Sequence, residues 1–295
     1  MAVALLAGCS LTKGLSTFSR APSAEVDIAI ITVLPAEYHA VLRKLENVRE
    51  VVEPFGEPNL YVWATGEVHS RDGVVRRLVV AMAGEAGEVS GALATQATMD
   101  RWKPKDVLLV GIAGGVHESV GLGDIVVSRQ IWGYEHGHLG TRYESGGVLF
   151  FQPDPTLVQA ALDLGEQWRR KIEIAPPDHA PPPKVFAGKT ASGDKVIEST
   201  GSAYFAESLR LDETILSVDM EGTGASAAIG KGHDRGGTTG FVMIRAISDL
   251  VGDHNRSGRP LFEQGRNPER ALWKAYSAEV AATFAVELIR SNWPE

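Results

Sequence analysis

The sequence reads VDMEG at residues 218–222 and IRAISD at residues 244–249, and these two stretches decide the expected fold. Each is an apolar segment that ends in a carboxylic acid, and the first continues into a run of small residues typical of a closely packed helix. Ligands of open α/β sheets bind beyond the carboxyl ends of the strands. We therefore expect Glu221 and Asp249 to face one pocket.

Further apolar runs of strand length alternate with helical segments along the chain. Helices are predicted from Pro35, over 89–102 and over 271–289, and the glycine-rich segment 111–115 is predicted to be a turn that lets backbone N–H groups approach a ligand. Such alternation predicts an α/β fold with a parallel or mixed sheet. The runs predicted as buried strands are 26–32, 78–83, 106–112, 124–132, 185–190, 215–218 and 241–247.

Composition narrows the class of function. The chain has 295 residues and a formal net charge of −8, so nothing indicates a nucleic-acid partner. A single cysteine excludes an intramolecular disulfide and a cysteine-based zinc site. The pair His136 and His138 has no carboxylate at metal-ligand spacing, so we expect no metal. We expect 1–24 to be a leader or disordered, and 25–295 to form a single catalytic domain.

The N-terminus reads MAVALLAGCS, and Leu6 to Cys9 look like a bacterial lipoprotein processing site. A working signal needs a basic start and an apolar run of roughly 7–15 residues. This start carries no Lys or Arg, and its apolar run is short. We therefore expect a cytoplasmic bacterial protein with no membrane contact, and the alternative is anchoring in the envelope through a lipidated Cys9.

Three acids carry the expected chemistry. Burial at a strand end raises the pKa of an acid such as Asp249, which suits a proton donor to a leaving group. A carboxylate such as Glu221, at the mouth of a small-residue helix, can accept hydrogen bonds from ligand hydroxyls and stabilise positive charge that develops on the ligand. Glu37 lies in the first turn of the helix that begins at Pro35. Each has a structural alternative, since Asp249 can cap a helix and the two glutamates can favour helix N-termini.

In this order the motifs resemble the nucleoside phosphorylase and nucleosidase superfamily. Within it they are most similar to 5′-methylthioadenosine/S-adenosylhomocysteine nucleosidases and related adenine nucleoside or nucleotide nucleosidase domains. The resemblance covers 26–289 and implies a three-layer α/β/α fold with a central mixed sheet.

The resemblance implies a cofactor-free hydrolase that uses water to release the base, most simply adenine, from a purine nucleoside or nucleotide. Glu37 would then activate the water, Glu221 bind the ribose hydroxyls, and Asp249 protonate the departing base. Family members form homodimers or larger homo-oligomers, and we expect the same here. The substrate-binding residues implied are Ala113, Gly114, Val196, Ile197, Asp219, Met220, Glu221, Arg245 and Ser248.

Three positions depart from the family pattern. Leu109 stands where the phosphorylases carry a phosphate-binding arginine, and Ile112 replaces their hydroxyl residue, so hydrolysis is favoured over phosphorolysis. Val196 stands where the nucleosidases carry an aromatic residue that stacks on the base. That change leaves the identity of the bound base undecided, and Phe186 and Tyr134 are candidates to replace the stacking residue.

Two readings besides the hydrolase stay open: a phosphorylase with a rebuilt anion site, and a non-catalytic module that senses a nucleoside. The 5′ substituent of the substrate is also open, because two segments look inserted. These are the proline-rich 175–183 and the polar 252–269, which we predict to be a lid. The cations that could meet a 5′-phosphate are Arg142, Lys189, Lys195 and Arg245.

Overall fold

A sheet of parallel and antiparallel strands, covered by helices, forms the centre of the computed structural model, which describes residues 25–51, 61–139, 143–145, 149–197, 206, 212–252 and 268–294. The helices are α1 (Pro35–Leu42), α2 (Glu88–Trp102), α3 (Pro155–Leu162), α4 (Gly222–Asp234) and α5 (Pro268–Ser291). The strands are β1 (Ile28–Thr32), β2 (Glu46–Glu50), β3 (Val62–His69), β4 (Val75–Met82), β5 (Asp106–Gly115), β6 (Ile125–Gly133), β7 (Gly137–Leu139), β8 (Tyr143–Ser145), β9 (Leu149–Phe151), β10 (Val185–Ser192), β11 (Ile215–Asp219) and β12 (Gly240–Leu250).

The main sheet is mixed and partly closed on itself. Its order is β11-β10-β6-β12-β5-β1-β4-β3-β2, with β9 paired to β6, while β7 and β8 form a separate hairpin. The central strand β1 is parallel to both β4 and β5. Strand β11 pairs with β10 and also, antiparallel, with β5. The five strands β5, β12, β6, β10 and β11 therefore form a closed ring. This confirms the predicted mixed sheet.

The two faces of the sheet are covered by different helices. Ile28 and Ile30 of β1 pack into a core shared with α1 and α5, whereas Ala29 and Ile31 pack into a core shared with α2 and α4. Alternate residues of a strand point to opposite faces, so a strand covered on both sides is apolar throughout. The expected α/β/α layering is confirmed.

Helices α2 and α4 touch at their N-termini because glycines remove the side chains between them. A Cβ atom on Gly91 would lie 2.9 Å from the carbonyl oxygen of Glu221, and one on Gly224 would lie 1.9 Å from that of Glu88. Neither position has room for a side chain. The contact brings the N-terminus of α2 beside the acid that opens α4.

The sequence prediction was wrong about two strand ends. Residues 111–115 are not a turn but the second half of β5, and Asp249 lies inside β12 rather than after it. Pairing with β12 continues as far as Gly115 opposite Leu250, and β11 pairs with the same end of β5. These long-range partners keep the glycine segment extended.

Several predicted segments lie outside the described residues: 1–24 with Cys9, Arg142, and 253–267 of the predicted lid. The proline-rich segment is described, and it holds only the short 3-10 turn Pro177–His179, as its composition predicts. Across the described part of the chain, no helix is long and apolar enough to cross a membrane.

Candidate active site

A cleft opens where the carboxyl ends of β1, β5, β11 and β12 meet. Ten of the eleven residues predicted to form a site line it, and only Arg245 does not. The ten are Glu37, Ala113, Gly114, Val196, Ile197, Asp219, Met220, Glu221, Ser248 and Asp249. The sequence therefore brings acids from three separate parts of the chain to one small space.

Backbone N–H groups hold the carboxylate of Glu37 in place. Its Oε2 accepts hydrogen bonds from the N–H groups of Val33 at 2.9 Å and Leu34 at 2.8 Å, and its Oε1 accepts one from Ile112 at 2.9 Å. The bond to Leu34 is the half of a capping box in which a glutamate at the third helical position reaches back to the helix start. A carboxylate only accepts hydrogen bonds, so three donors match it and fix its orientation.

A buried guanidinium lies behind the acids of the cleft. Arg245 is fully buried, and its Nε donates to Oδ2 of Asp219 at 3.0 Å while its Nη2 donates to Oε2 of Glu221 at 3.1 Å. A Cβ atom on Gly111 would lie 2.5 Å from Nη1 of Arg245 and 2.6 Å from Oε1 of Glu37, so only glycine fits between them.

This burial corrects the expected role of Arg245 as a substrate or 5′-phosphate contact. Burial alone would lower the pKa of Arg245, but the carboxylates of Asp219, Glu221 and Glu37 raise it. The guanidinium is therefore a permanent positive charge behind the acids, and it positions them instead of meeting the ligand.

Glu221 is held between that guanidinium and the N-terminus of α2. Its Oε1 accepts a hydrogen bond from the N–H of Gly87 at 3.2 Å. Burial raises the pKa of Glu221 to about 7, Asp219 and Glu37 add to the rise, and Arg245 and Gly87 oppose it. The acid is thus fixed at one edge of the cleft, where burial and neighbouring carboxylates raise its pKa and the guanidinium and a backbone N–H lower it.

Asp249 lies against the glycines of β5. Burial raises the pKa of Asp249, Glu269 adds to the rise, and the hydroxyl of Ser248, which donates to Oδ1 at 2.6 Å, opposes it together with Arg270. Burial favours the protonated form of a carboxyl group, which can then donate a proton. Glu37 and Asp249 thus differ in their surroundings, because Glu37 accepts three backbone hydrogen bonds whereas burial raises the pKa of Asp249.

The wall expected to face the base has no aromatic side chain among its described residues. Val196 is 51% exposed at the rim of the cleft, and Ile197 is buried beside it. Neither predicted substitute fills the stacking position. Tyr134 is buried behind this wall and its hydroxyl donates to the carbonyl of Lys195 at 3.2 Å, whereas Phe186 packs in a different cluster.

Of the other predicted cations, Lys195 lines the cleft and forms an ion pair with Glu135 at 2.6 Å, and Lys189 is paired with Asp212 away from it. The sequence analysis assigned no role to six lining residues, because five of them lie on unremarkable apolar positions and Arg270 lies far along the chain. These are Val33, Leu34, Ala86, Val218, Val251 and Arg270. Within the described ranges, no group of three or more His, Cys, Asp and Glu is arranged to hold a metal ion.

Comparison with known proteins finds the same family that the sequence motifs resemble. The family described as the phosphorylase superfamily matches residues 27–282. A 5′-methylthioadenosine/S-adenosylhomocysteine nucleosidase of Bacillus licheniformis is 31% identical over 178 residues, which cover 59% of this chain and 69% of the relative.

Solved structures show the same fold at lower identity. The nucleosidase of Colwellia psychrerythraea in complex with adenine is 24% identical with a TM-score of 0.68, and covers 90% of this chain and 95% of its own. The nucleosidase of Neisseria meningitidis in complex with methylthio-immucillin-A is 23% identical with a TM-score of 0.64, covering 90% and 98%. Futalosine hydrolase of Helicobacter pylori is 18% identical with a TM-score of 0.63, covering 90% and 97%.

Proposed function

This chain belongs to the phosphorylase superfamily, and we propose that it is an N-glycosidase that hydrolyses purine nucleosides or nucleotides to the free base. The observation that carries the proposal is the meeting of Glu37, Glu221 and Asp249 in one cleft, each in a different electrostatic environment. Pairs of acids whose environments differ in this way divide the roles of base and acid.

Glu37 acts as the general base. Its three N–H donors leave the carboxylate fixed and facing the cleft, where it takes a proton from water as the water oxygen attacks C1′. The hydroxide so formed and the bound sugar are held in one geometry, which lowers the entropic part of the barrier.

Glu221 stabilises the sugar as the bond breaks. The C1′–N bond opens with its electron pair going to the base, so positive charge builds on the ribosyl group. The hydrogen bonds that a carboxylate accepts from the ribose hydroxyls become stronger as that charge develops. Met220, the residue before it, lines the same part of the cleft and can pack against the sugar.

Asp249 donates the proton that neutralises the departing base. Burial favours its protonated form, and Ser248 orients it through the 2.6 Å hydrogen bond. The proton balance closes, because Glu37 gains a proton from water and Asp249 loses one to the base. Exchange with solvent then restores both acids for the next turnover.

Water, not phosphate, is the proposed nucleophile. The N–H groups of Val33, Leu34 and Ile112, which could otherwise cradle an anion, all donate to Glu37. The Arg245 guanidinium is likewise taken up by two carboxylates. Donors already satisfied by the protein's own acids cannot also hold a free phosphate without leaving those acids unpaired.

Adenine is the simplest base for this cleft by analogy with the relatives.

We propose that the active form is a homodimer or larger homo-oligomer. Val89 and Leu93 of α2 are 67% and 55% exposed, and Val196 is 51% exposed at the rim of the cleft. A second subunit seated on Val196 would also cover the rim of the cleft. A cytoplasmic location and lipidation at Cys9 both stay predictions.

The proposal is tested by incubating the protein with methylthioadenosine, S-adenosylhomocysteine, adenosine, AMP and ATP and following free adenine by chromatography. Release from at least one of them is expected, and the preferred substrate identifies the 5′ group. Inosine and guanosine serve as further substrates, with their bases followed in the same way.

The matched control is Glu85→Gln, which neutralises an exposed acid close in sequence to the cleft. It should retain wild-type release, whereas Asp249→Asn should lose it. If the wild-type protein releases no base from any of these substrates, or if Asp249→Asn is fully active, the proposed function is wrong.

A further inference from the structure

Glu88, which the proposed mechanism does not use, joins three elements, α2, β10 and α4, whose adjoining residues line the cleft. It is the first residue of α2, and its own N–H donates to Oδ1 of Asp194 at 2.7 Å, just beyond β10. Its Oε1 accepts a hydrogen bond from the hydroxyl of Ser192 in β10 at 2.7 Å. Its Oε2 accepts one from the N–H of Gly224 in the first turn of α4.

The same junction holds Glu221. Gly87, the residue before Glu88, donates to Oε1 of Glu221, and Gly91, one turn further along α2, packs against the backbone of Glu221. Any shift of α2 relative to α4 therefore moves the hydrogen bond that orients this carboxylate. The carboxyl group of Glu88 is the side chain that links the two N-termini directly.

We propose that Glu88 is a positioning residue that sets the orientation of the Glu221 carboxylate toward the ribose hydroxyls. This inference rests on the proposed function. Glu88 acts through backbone geometry and does not itself touch the substrate, since it is absent from the cleft lining.

The electrostatic setting of Glu88 supports a specific role over a chance contact. It is partly buried, and burial together with the Asp219 carboxylate raises the pKa of Glu88 to about 8, against the opposing hydrogen bonds from Ser192 and Gly224. Placing an acid at such a site costs stability unless it is well bonded. Here its hydrogen bonds go to the last residue of β10 and to the first turn of α4, next to the segments that carry Val196 and Glu221.

The test compares the preferred substrate with its 2′,3′-dideoxy analogue, which lacks the hydroxyls that Glu221 would bind. The kcat/KM ratio of the two substrates reports the hydroxyl contacts, because intrinsic reactivity is the same for every variant. Glu88→Ala is expected to lower this ratio about tenfold, the effect of weakening a hydrogen bond to a charged group. The value for the dideoxy analogue should stay within about threefold of wild type.

Glu88→Gln keeps one acceptor for Gly224 and a polar group for Ser192, and should restore most of the ratio. Glu85→Gln, exposed in the preceding loop, should leave it unchanged. Melting temperatures of all variants show whether the fold is kept. Equal losses for both substrates, or no loss in Glu88→Ala, would overturn the inference alone. A wild-type protein that releases no base from any of the substrates named under the proposed function would refute that function and this inference with it.

Discussion

Replacing Glu37 by glutamine separates the structural and chemical work of this carboxylate. The side chain is 3% exposed and accepts hydrogen bonds at both oxygens. Glutamine has one acceptor oxygen and one donor NH₂ group. If its oxygen takes the Oε2 position, it keeps the bonds from Val33 and Leu34, but its NH₂ then faces the N–H of Ile112 and the nearby guanidinium of Arg245.

The opposite rotamer of the Glu37→Gln amide is worse, because it sets the NH₂ group against two backbone donors. The variant therefore leaves at least one buried N–H unsatisfied, which costs about 1–3 kcal/mol of unfolding free energy. In a domain of this size that lowers Tm by a few degrees. The chemical effect is separate and larger. Loss of a general base slows the reaction by roughly 10²–10⁴-fold, or about 3–5 kcal/mol of activation free energy.

The assay for Glu37→Gln has two parts, thermal unfolding by circular dichroism and kcat from base release at saturating substrate. We expect a modest fall in Tm and at least a hundredfold fall in kcat, measured well below the new Tm. The control Glu85→Gln should change neither quantity. A variant that is destabilised as expected but keeps kcat within about threefold of wild type would refute the assignment of Glu37 as base.

The other predictions concern the remaining charged groups. Because Asp249 must be protonated to act, kcat/KM should fall as pH rises through its pKa. Ser248→Ala removes a hydrogen bond that favours the ionised form, so this alkaline limb should move to higher pH; a shift to lower pH in the pH–rate profile would contradict the assignment. Arg245→Met leaves buried carboxylates unpaired and should cost about 3–5 kcal/mol by denaturant unfolding. Adding Asp219→Asn should recover part of that loss, and a single variant as stable as wild type would show that the guanidinium does not hold the acids together.

The strands that the sequence predicts are those whose apolar character is continuous. Strand β1 reads IAIIT and is buried along its whole length, because helices cover both faces of the sheet. Strand β2 reads ENVRE and is exposed throughout, so no hydrophobic pattern marks it, and its neighbour β3 was missed with it. An edge strand of this kind is fixed by pairing with its neighbour, which a local pattern does not reveal.

The acids of the candidate site could be predicted because each lies at or near the carboxyl end of a recognisable strand. What could not be predicted is which charges face the ligand. Arg245 stands in the same strand as Asp249, yet its side chain is sealed behind Asp219 and Glu221. Glu88 carried no signal either, since an acid in the first turn of a helix is common and its partners come from residues about 100 positions away.

The central claim, that water and not phosphate attacks the sugar, is tested most directly by identifying the sugar product. The protein is given its preferred substrate in phosphate-free buffer and again with added phosphate, and the products are followed by phosphorus and proton NMR. The account predicts the same rate in both buffers and free ribose, or its 5′-substituted form, as the sugar product. Release that depends on phosphate and yields a ribose 1-phosphate would contradict it.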